Sequence, residues 1–219
     1  MPSFVCETCK RSFEVSDAIL AKYPGWQPKR CLDCKNKGNG KGREPRPAPR
    51  RNAVRASSRE ENLTVAEVLA RYTAGPRDGV FTDGAAEPNP GPGGWGAVYV
   101  VNDAIIGERY GHEPHTTNNR MELQALLAGC ALVPVGTKAT IYSDSELCVK
   151  TITEWAKGWK ARGWKRKGGE IKNLELVQEA YALFEQRPEL ELRWIAAHSG
   201  NRWNEYADSL ATAYRRSKK

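Results

Sequence analysis

The stretch between residues 36 and 62 constrains the fold of this chain more than any other. Gly38, Gly40 and Gly42 are followed by Pro45, Pro47 and Pro49, and from Lys35 to Arg59 nine basic residues stand against one acid, Glu44. Glycine and proline interrupt regular hydrogen bonding and like charges repel, so this composition builds no core and reads as an extended tether. The 219-residue chain is thereby divided. Residues 1–35 are too few to bury a sizeable core unaided. Residues 63–219 are enough for one ordinary domain.

Charge follows the same division. The net charge is +8, with 14 Lys+Arg and 7 Asp+Glu in residues 1–62 against 20 and 19 in the remainder. Basicity concentrated in the N-terminal quarter suits a polyanionic partner, and the tether could follow a phosphate backbone without sequence preference. A plain solvated linker is the other reading. No run approaches the roughly 18 apolar residues of a membrane span. The start, Met1-Pro-Ser-Phe-Val-Cys6, lacks the basic and apolar run of a secretory signal. A cytoplasmic, bacterial setting and a monomer that binds no membrane are expected.

Cys6-Glu-Thr-Cys9 and Cys31-Leu-Asp-Cys34 duplicate a Cys-x-x-Cys spacing within residues 1–35. Two such turns supply the four thiolates of a closed tetrahedral zinc site, and a structural metal offsets the shortage of core. Phe4, Phe13, Ile19, Leu20 and Trp26 are expected to pack around it. Buried or redox-active cysteines are the alternative. The segment resembles small treble-clef or ribbon-like zinc modules. A closed four-thiolate site has no open position for substrate, so its role is to bind nucleic acid or a protein partner. Cys130 and Cys148 read as core residues.

After the tether, Thr64-Val-Ala-Glu67 is a capping-box pattern with Val65, Val68, Leu69 and Tyr72 on one face. This predicts a short helix within 63–76, ended by Gly75-Pro76, which docks on the following domain or spaces it from the tether. Residues 77–216 then alternate strand and helix patterns. Strands are predicted up to Asp83, over Ala97–Val101, Ala104–Tyr110, Lys138–Ser143 and Leu190–Ile195. The second and third are joined by the turn dipeptide Asn102-Asp103. Helices are predicted around Met121–Ala131, from Ser145, near Trp155–Trp159, over 170–187 and over 201–216. The implied class is α/β, a mixed sheet flanked by helices.

Four carboxylates stand out by position. Asp83 ends the first strand, Asp144 ends another in Tyr142-Ser-Asp-Ser, Glu122 lies near a helix start, and Asp208 lies in the last helix. If the first two strands are parallel neighbours, Asp83 and Asp144 meet at their carboxyl ends, where open α/β sheets bind ligands. Clustered carboxylates repel unless a cation neutralises them, and hard oxygen ligands favour Mg²⁺ or Mn²⁺. Taken singly, each acid has an ordinary structural use as a turn residue, a cap or a solvated helix acid.

Taken together, Thr82-Asp-Gly-Ala85, Asn89-Pro-Gly-Pro-Gly-Gly-Trp-Gly96, Thr116-Thr-Asn-Asn-Arg-Met-Glu-Leu123, Tyr142-Ser-Asp-Ser145, Ala197-His-Ser-Gly200 and Asn204-Glu-Tyr-Ala-Asp-Ser-Leu-Ala211 resemble the type 1 ribonuclease H family, in the family's order. The resemblance covers about 140 residues. It implies a ribonuclease H-like five-stranded mixed sheet and an endonuclease that cuts the RNA strand of RNA–DNA hybrids, leaving 5′ phosphates. It implies Asp83, Glu122, Asp144 and Asp208 as ligands of two Mg²⁺ or Mn²⁺ ions, and His198 as the group that assists proton transfer or product departure. It also implies Asn89, Asn118 and Glu122 as ribose contacts, Asn119 as a contact to the DNA strand, and Thr117 as a phosphate contact.

The segment Trp155-Ala-Lys-Gly-Trp-Lys-Ala-Arg-Gly-Trp-Lys-Arg-Lys167 holds six basic residues, three Trp and no acid. It is similar to the family's basic protrusion, which grips the DNA strand, here through Trp155, Trp159, Lys160, Arg162, Trp164 and Lys165. Packing of Trp155 and Trp159 as one helix face is the structural alternative. Gly158 departs from the family, where a polar side chain is common. Two other functions remain open at this point: an inactive hybrid- or nucleic-acid-binding protein on the same fold, and a related nuclease for another duplex.

Overall fold

The computed structural model describes residues 2–23, 25–37 and 62–216, in an N-terminal and a C-terminal unit. The tether expected over 36–62 lies almost wholly outside the described residues.

The N-terminal unit opens with β1 (Ser3–Val5) and β2 (Ser12–Glu14), antiparallel with Ser3 opposite Glu14. Between them the chain turns through Cys6–Cys9, closed by Cys6 N–H donating to Arg11 O and Lys10 N–H donating to Cys6 O, each at 2.9 Å. Two short helices follow, α1 (Asp17–Lys22) and α2 (Leu32–Lys37), the second beginning beside Cys31. Phe4 and Phe13 meet across the hairpin with centroids 6.1 Å apart. Ile19 and Trp26 do not join them. Both are exposed, and Trp26 packs edge-on against Tyr23 instead. A unit this small has too little interior to cover every apolar side chain.

The C-terminal unit starts with α3 (Val65–Arg71). The hairpin strands β3 (Gly79–Ala86), β4 (Gly91–Val101) and β5 (Ala104–Thr116) follow, then α4 (Asn118–Cys130) and β6 (Ala139–Ser143). Next come α5 (Glu146–Lys150), a π-helical turn (Thr151–Trp155) and α6 (Ala156–Ala161). The chain ends with α7 (Leu174–Gln186), β7 (Leu190–Trp194), α8 (Arg202–Ala211) and α9 (Ala213–Arg216). The sheet order is β5-β4-β3-β6-β7. The first three strands pair antiparallel, whereas β6 runs parallel to β3 and to β7. This is the mixed five-stranded sheet that the element pattern implies. Asn102 and Asp103 take φ of 52° and 61°, the left-handed pair that matches a hairpin turn to strand twist. The strands flanking it run longer than their apolar cores, because β4 extends back through the Gly/Pro-rich segment to Gly91.

The centre of β3 is buried on both faces, and its period-2 alternation divides the core. Val80 packs on one side with Leu126 of α4, Ile141, Leu176 and Val177. Phe81 packs on the other with Val98, Val100, Trp203 and Tyr206 of α8, and with Val68 of α3. The helix α8 lies close on β4: a Cβ at Gly96 would fall 2.6 Å from Ala207 O. The capping box at Thr64 and Glu67 forms in both directions, and Val68 is 1% exposed, a burial worth about 1.5–3 kcal/mol. Leu63 O accepts from Ser209 Oγ at 2.7 Å and from Arg216 Nη1 at 2.8 Å. The helix α3 is thus packed onto α8.

Candidate active site

Parallel pairing of β3 and β6 sets the geometry. Thr82 lies opposite Ser143, the last pair of the β3–β6 ladder, so Asp83 and Asp144 follow at the same level. The strand β3 does not end at Asp83 as expected but runs on to Ala86, because β4 still pairs with it there. Asp83 projects to the same face as Phe81, toward α8. Glu122 arrives from the second turn of α4 (Asn118–Cys130). One carboxylate oxygen each from Asp83, Glu122 and Asp144 lie within 4.8 Å of one another. Asp208, on α8, is grouped at the same spacing with His198 and Glu205, and its charge also acts on Asp83.

The electrostatics of this arrangement are adverse without a cation. Asp83 and Glu122 are each only 8% exposed. Burial pushes the Asp83 carboxyl well above the usual carboxylate range, and Asp144, Glu122 and Asp208 add to the rise. Burial does the same to Glu122, followed by the charge of Asp144, and only a hydrogen bond from the Gly84 backbone opposes it. Glu122 Oε2 is buried without a hydrogen-bond partner among the described residues. An orphaned carboxylate oxygen inside a cluster of acids fits a hard divalent cation, which would satisfy the oxygen and remove the repulsion.

His198 is exposed in the loop between β7 and α8, with φ of 45° and its Nδ1 3.9 Å from Glu205 Oε2. Glu205 Oε1 accepts from the backbone N–H of Gly200 at 3.2 Å, so it braces the loop that carries the histidine. Asn89, Asn118 and Asn119 are exposed beside the acidic cluster's helix. Asn118 Oδ1 accepts from Ala86 N–H at 2.5 Å, and Asn118 N–H donates to Asn89 Oδ1 at 3.3 Å. These bonds tie the start of α4 to the Gly/Pro-rich turn. Thr117 is the N-cap of α4, its Oγ1 3.4 Å from Arg120 N.

The tryptophan-rich segment divides. Trp155 and Trp159 stand 6.0 Å apart, and Trp155 is partly exposed. With Asn119 they line a cavity of about 130 Å³, whose walls also include Arg166, Lys172 and Asn173. The last three were not singled out by the sequence. Arg166 lies in the basic run after Trp164, whereas Lys172 and Asn173 follow Gly168-Gly-Glu-Ile171 with no signal beyond the helix start at Leu174. Trp164 packs edge-on against Tyr181 and against the α4-side core. Lys160 is paired with Glu185. Arg162 Nε donates to Lys165 O at 3.4 Å, and both residues are exposed.

In the N-terminal unit, the sulfurs of Cys6, Cys9, Cys31 and Cys34 lie within 4.8 Å of one another, and none forms a disulfide. Cys9 Sγ and Cys31 Sγ are 3.7 Å apart, close to the ~3.8 Å edge of a tetrahedron with ~2.3 Å zinc–sulfur bonds. Backbone N–H groups of Cys31 and Cys9 pull the Cys6 thiol down to about 6. Hydrogen bonding to Cys9 and Cys31 pushes the Cys34 thiol up to about 12. Four sulfurs this close cannot all ionise without a cation among them.

A mixed sheet with two carboxylates on adjacent parallel strands, joined by a third from α4, defines a site built for divalent cations. The family model described as RNase H matches residues 77–216, and the chain belongs to the ribonuclease H family. It is 46% identical over 137 residues to a ribonuclease H of Methylorubrum extorquens, a match spanning 63% of this chain and 59% of that protein. It is 44% identical over 134 residues to a ribonuclease H of a Polaromonas species, spanning 60% of this chain and 84% of that one. Among solved structures, LC9-RNase H1, described as a type 1 RNase H with the type 2 active-site motif, superposes with a TM-score of 0.54 at 32% identity. That match covers 67% of this chain and 76% of that one. The matched span begins after α3, so α3 and the cysteine unit lie outside it. Among the described residues no helix is long and apolar enough to cross a membrane.

Proposed function

We propose that this chain hydrolyses the RNA strand of RNA–DNA hybrids, with Asp83, Glu122, Asp144 and Asp208 holding the catalytic cations. The observation that carries this reading is the convergence of a carboxylate oxygen from each of Asp83, Glu122 and Asp144 within 4.8 Å, together with a buried, unpartnered Oε2 on Glu122. Family membership supplies the substrate class. The chemistry that two Mg²⁺ or Mn²⁺ ions supply in such a site is to lower the pKa of an attacking water and to neutralise the departing 3′ oxygen.

The chain's own groups do the rest. Asp83 and Glu122, fixed by strand and helix, hold their oxygens where cations would stand beside the scissile phosphate. Asn89 and Asn118, locked to each other, present polar groups to the ribose 2′-hydroxyl, the feature that separates RNA from DNA. Thr117 and the start of α4 face the DNA phosphates. The Trp155 and Trp159 faces and the exposed cations Arg162 and Lys165 hold the DNA strand. With Nδ1 of His198 turned to Glu205, Nε2 is the atom left to carry a proton to or from the departing oxygen.

The four cysteines bind one structural Zn²⁺ ion. The N-terminal unit adds a second grip on nucleic acid, since it leaves Tyr23 and Trp26 exposed among seven basic and four acidic residues in 1–37. The test is cleavage of a labelled hybrid with Mg²⁺ or Mn²⁺, beside duplex RNA, single-stranded RNA and duplex DNA, with Asp83→Asn as control. Cutting confined to the hybrid's RNA, and lost in the variant, supports the reading. An intact hybrid that the protein still binds would leave a binding protein instead. Release of one zinc per chain by a mercurial reagent, absent in Cys31→Ala, tests the zinc site.

A further inference from the structure

The acidic cluster leaves one buried polar group unexplained. Asn204, on α8, is 2% exposed. Its Nδ2 donates to Asp144 Oδ2 at 3.1 Å. Its Oδ1 is buried and has no partner among the described residues. Burying an amide oxygen without a donor costs about 1–3 kcal/mol, and an apolar residue would avoid that cost. The amide cannot simply turn over, because Oδ1 would then face a carboxylate oxygen. Asp144 is held from a second side. Trp194, at the end of β7, donates its Nε1–H to the backbone carbonyl of Asp144 at 3.0 Å. Parallel register places Trp194 opposite Ser143, and Ile195 N–H donates to Ser143 O at 3.1 Å. The main chain of Asp144 is therefore fixed by β7 and its carboxylate by α8.

We infer that Asn204 and Trp194 are positioning residues that clamp Asp144, so that one of its oxygens stays with Asn204 and the other is presented to the catalytic cation. This rests on the proposed divalent-metal site. The unpartnered Oδ1 is the cost of turning Nδ2 to Asp144. Asn204 lies four residues before Asp208, on the same face of α8, so one helix supplies both a candidate ligand and the clamp of another.

The experiment measures Mn²⁺ binding to the zinc-loaded, substrate-free protein by the loss of the free-ion electron paramagnetic resonance signal. Wild type, Asn204→Ala and Trp194→Phe are compared, with melting curves with and without Mn²⁺. Removing groups that orient metal ligands costs about 10–100-fold in affinity. Asn204→Ala is expected to bind Mn²⁺ that much more weakly and to lose the upward shift in Tm that Mn²⁺ gives the wild type, while its metal-free Tm changes little. Trp194→Phe keeps the ring and loses only the donor, so it is expected to fold and to bind at least threefold more weakly. Binding equal to wild type in a folded Asn204→Ala overturns the inference. If that variant does not fold, unchanged binding by Trp194→Phe overturns it. A wild-type protein that neither binds Mn²⁺ nor cuts hybrid refutes the underlying metal site instead.

Discussion

Gly84→Ala tests how the active site is assembled. Gly84 follows Asp83 on β3 and faces α4. Its φ lies outside the left-handed region, so the glycine is there for space. A Cβ at this position would fall 2.2 Å from Glu122 N and 2.3 Å from Met121 C. Both are backbone atoms of the helix turn that delivers Glu122, so no side chain can rotate away. Restoring even a 3.0 Å contact requires β3 and α4 to part by about 0.8 Å, and ordinary van der Waals contact requires about 1.2 Å. Glu122 travels with its own backbone, so its carboxylate retreats from Asp83 by a similar amount. Misplacement of about 1 Å at a reacting centre costs about 10²-fold in rate. Overpacking costs about 1–3 kcal/mol, which lowers Tm by about 3–10 °C in a domain of this size. The assay is single-turnover hybrid cleavage at saturating Mg²⁺, with substrate affinity and Tm measured alongside. The expected result is a loss of about 10²-fold in the cleavage rate with substrate affinity within a few-fold of wild type. A Gly84→Ala protein that cleaves within threefold of wild type would falsify the claim that close β3–α4 approach sets the Asp83–Glu122 spacing.

Three further outcomes follow from the same structure. Gly158→Ala is expected to raise stability by up to about 1 kcal/mol, because its nearest neighbour is the movable end of Arg162 at 3.3 Å; a lower urea midpoint would contradict this. Arg187 donates to Cys130 O, Val133 O and Pro134 O at 2.9–3.0 Å and pairs with Glu189, so Arg187→Met strands carbonyls at the end of α4 and is expected to cost about 3–5 kcal/mol; a loss below about 1 kcal/mol in urea unfolding would refute the clamp. Asp83 and Glu122 have raised pKa values in the fold, so their contribution to metal-free stability is full below the ordinary carboxylate pKa of about 4 and is lost as pH rises through the raised values. Asp83→Asn is therefore expected to raise the metal-free Tm at pH 8, with the gain shrinking toward pH 4, and a gain independent of pH would show that repulsion is not its source.

Much of the site is legible because its signals are local. The capping box at Thr64, the left-handed turn at Asn102-Asp103 and the duplicated cysteine pairs each express short-range geometry. Asp144 follows directly on a strand and Glu122 lies near a helix start, positions that periodicity already marks. Trp194, Asn204 and Glu205 are different. Each is an ordinary residue type in its own segment, although the four-residue spacing of Asn204 and Asp208 was there to be noticed. Trp26 and Ile19 show the reverse error. Their apolar character suggests core, but a short segment has no interior to receive them.

The sequence by itself determines which chemistry is available: four acids, a histidine, four paired thiols and a basic aromatic segment, each in a recognisable local setting. Tertiary structure alone decides which of them meet. Asp83 and Asp144 become neighbours only because β6 inserts beside β3 in parallel register. Glu122 reaches them only because Gly84 lets α4 approach, and Asn204 becomes a clamp only when α8 buries it. These contacts join residues about 40 to 60 positions apart, and their stability comes from packing across the sheet, which no local propensity encodes.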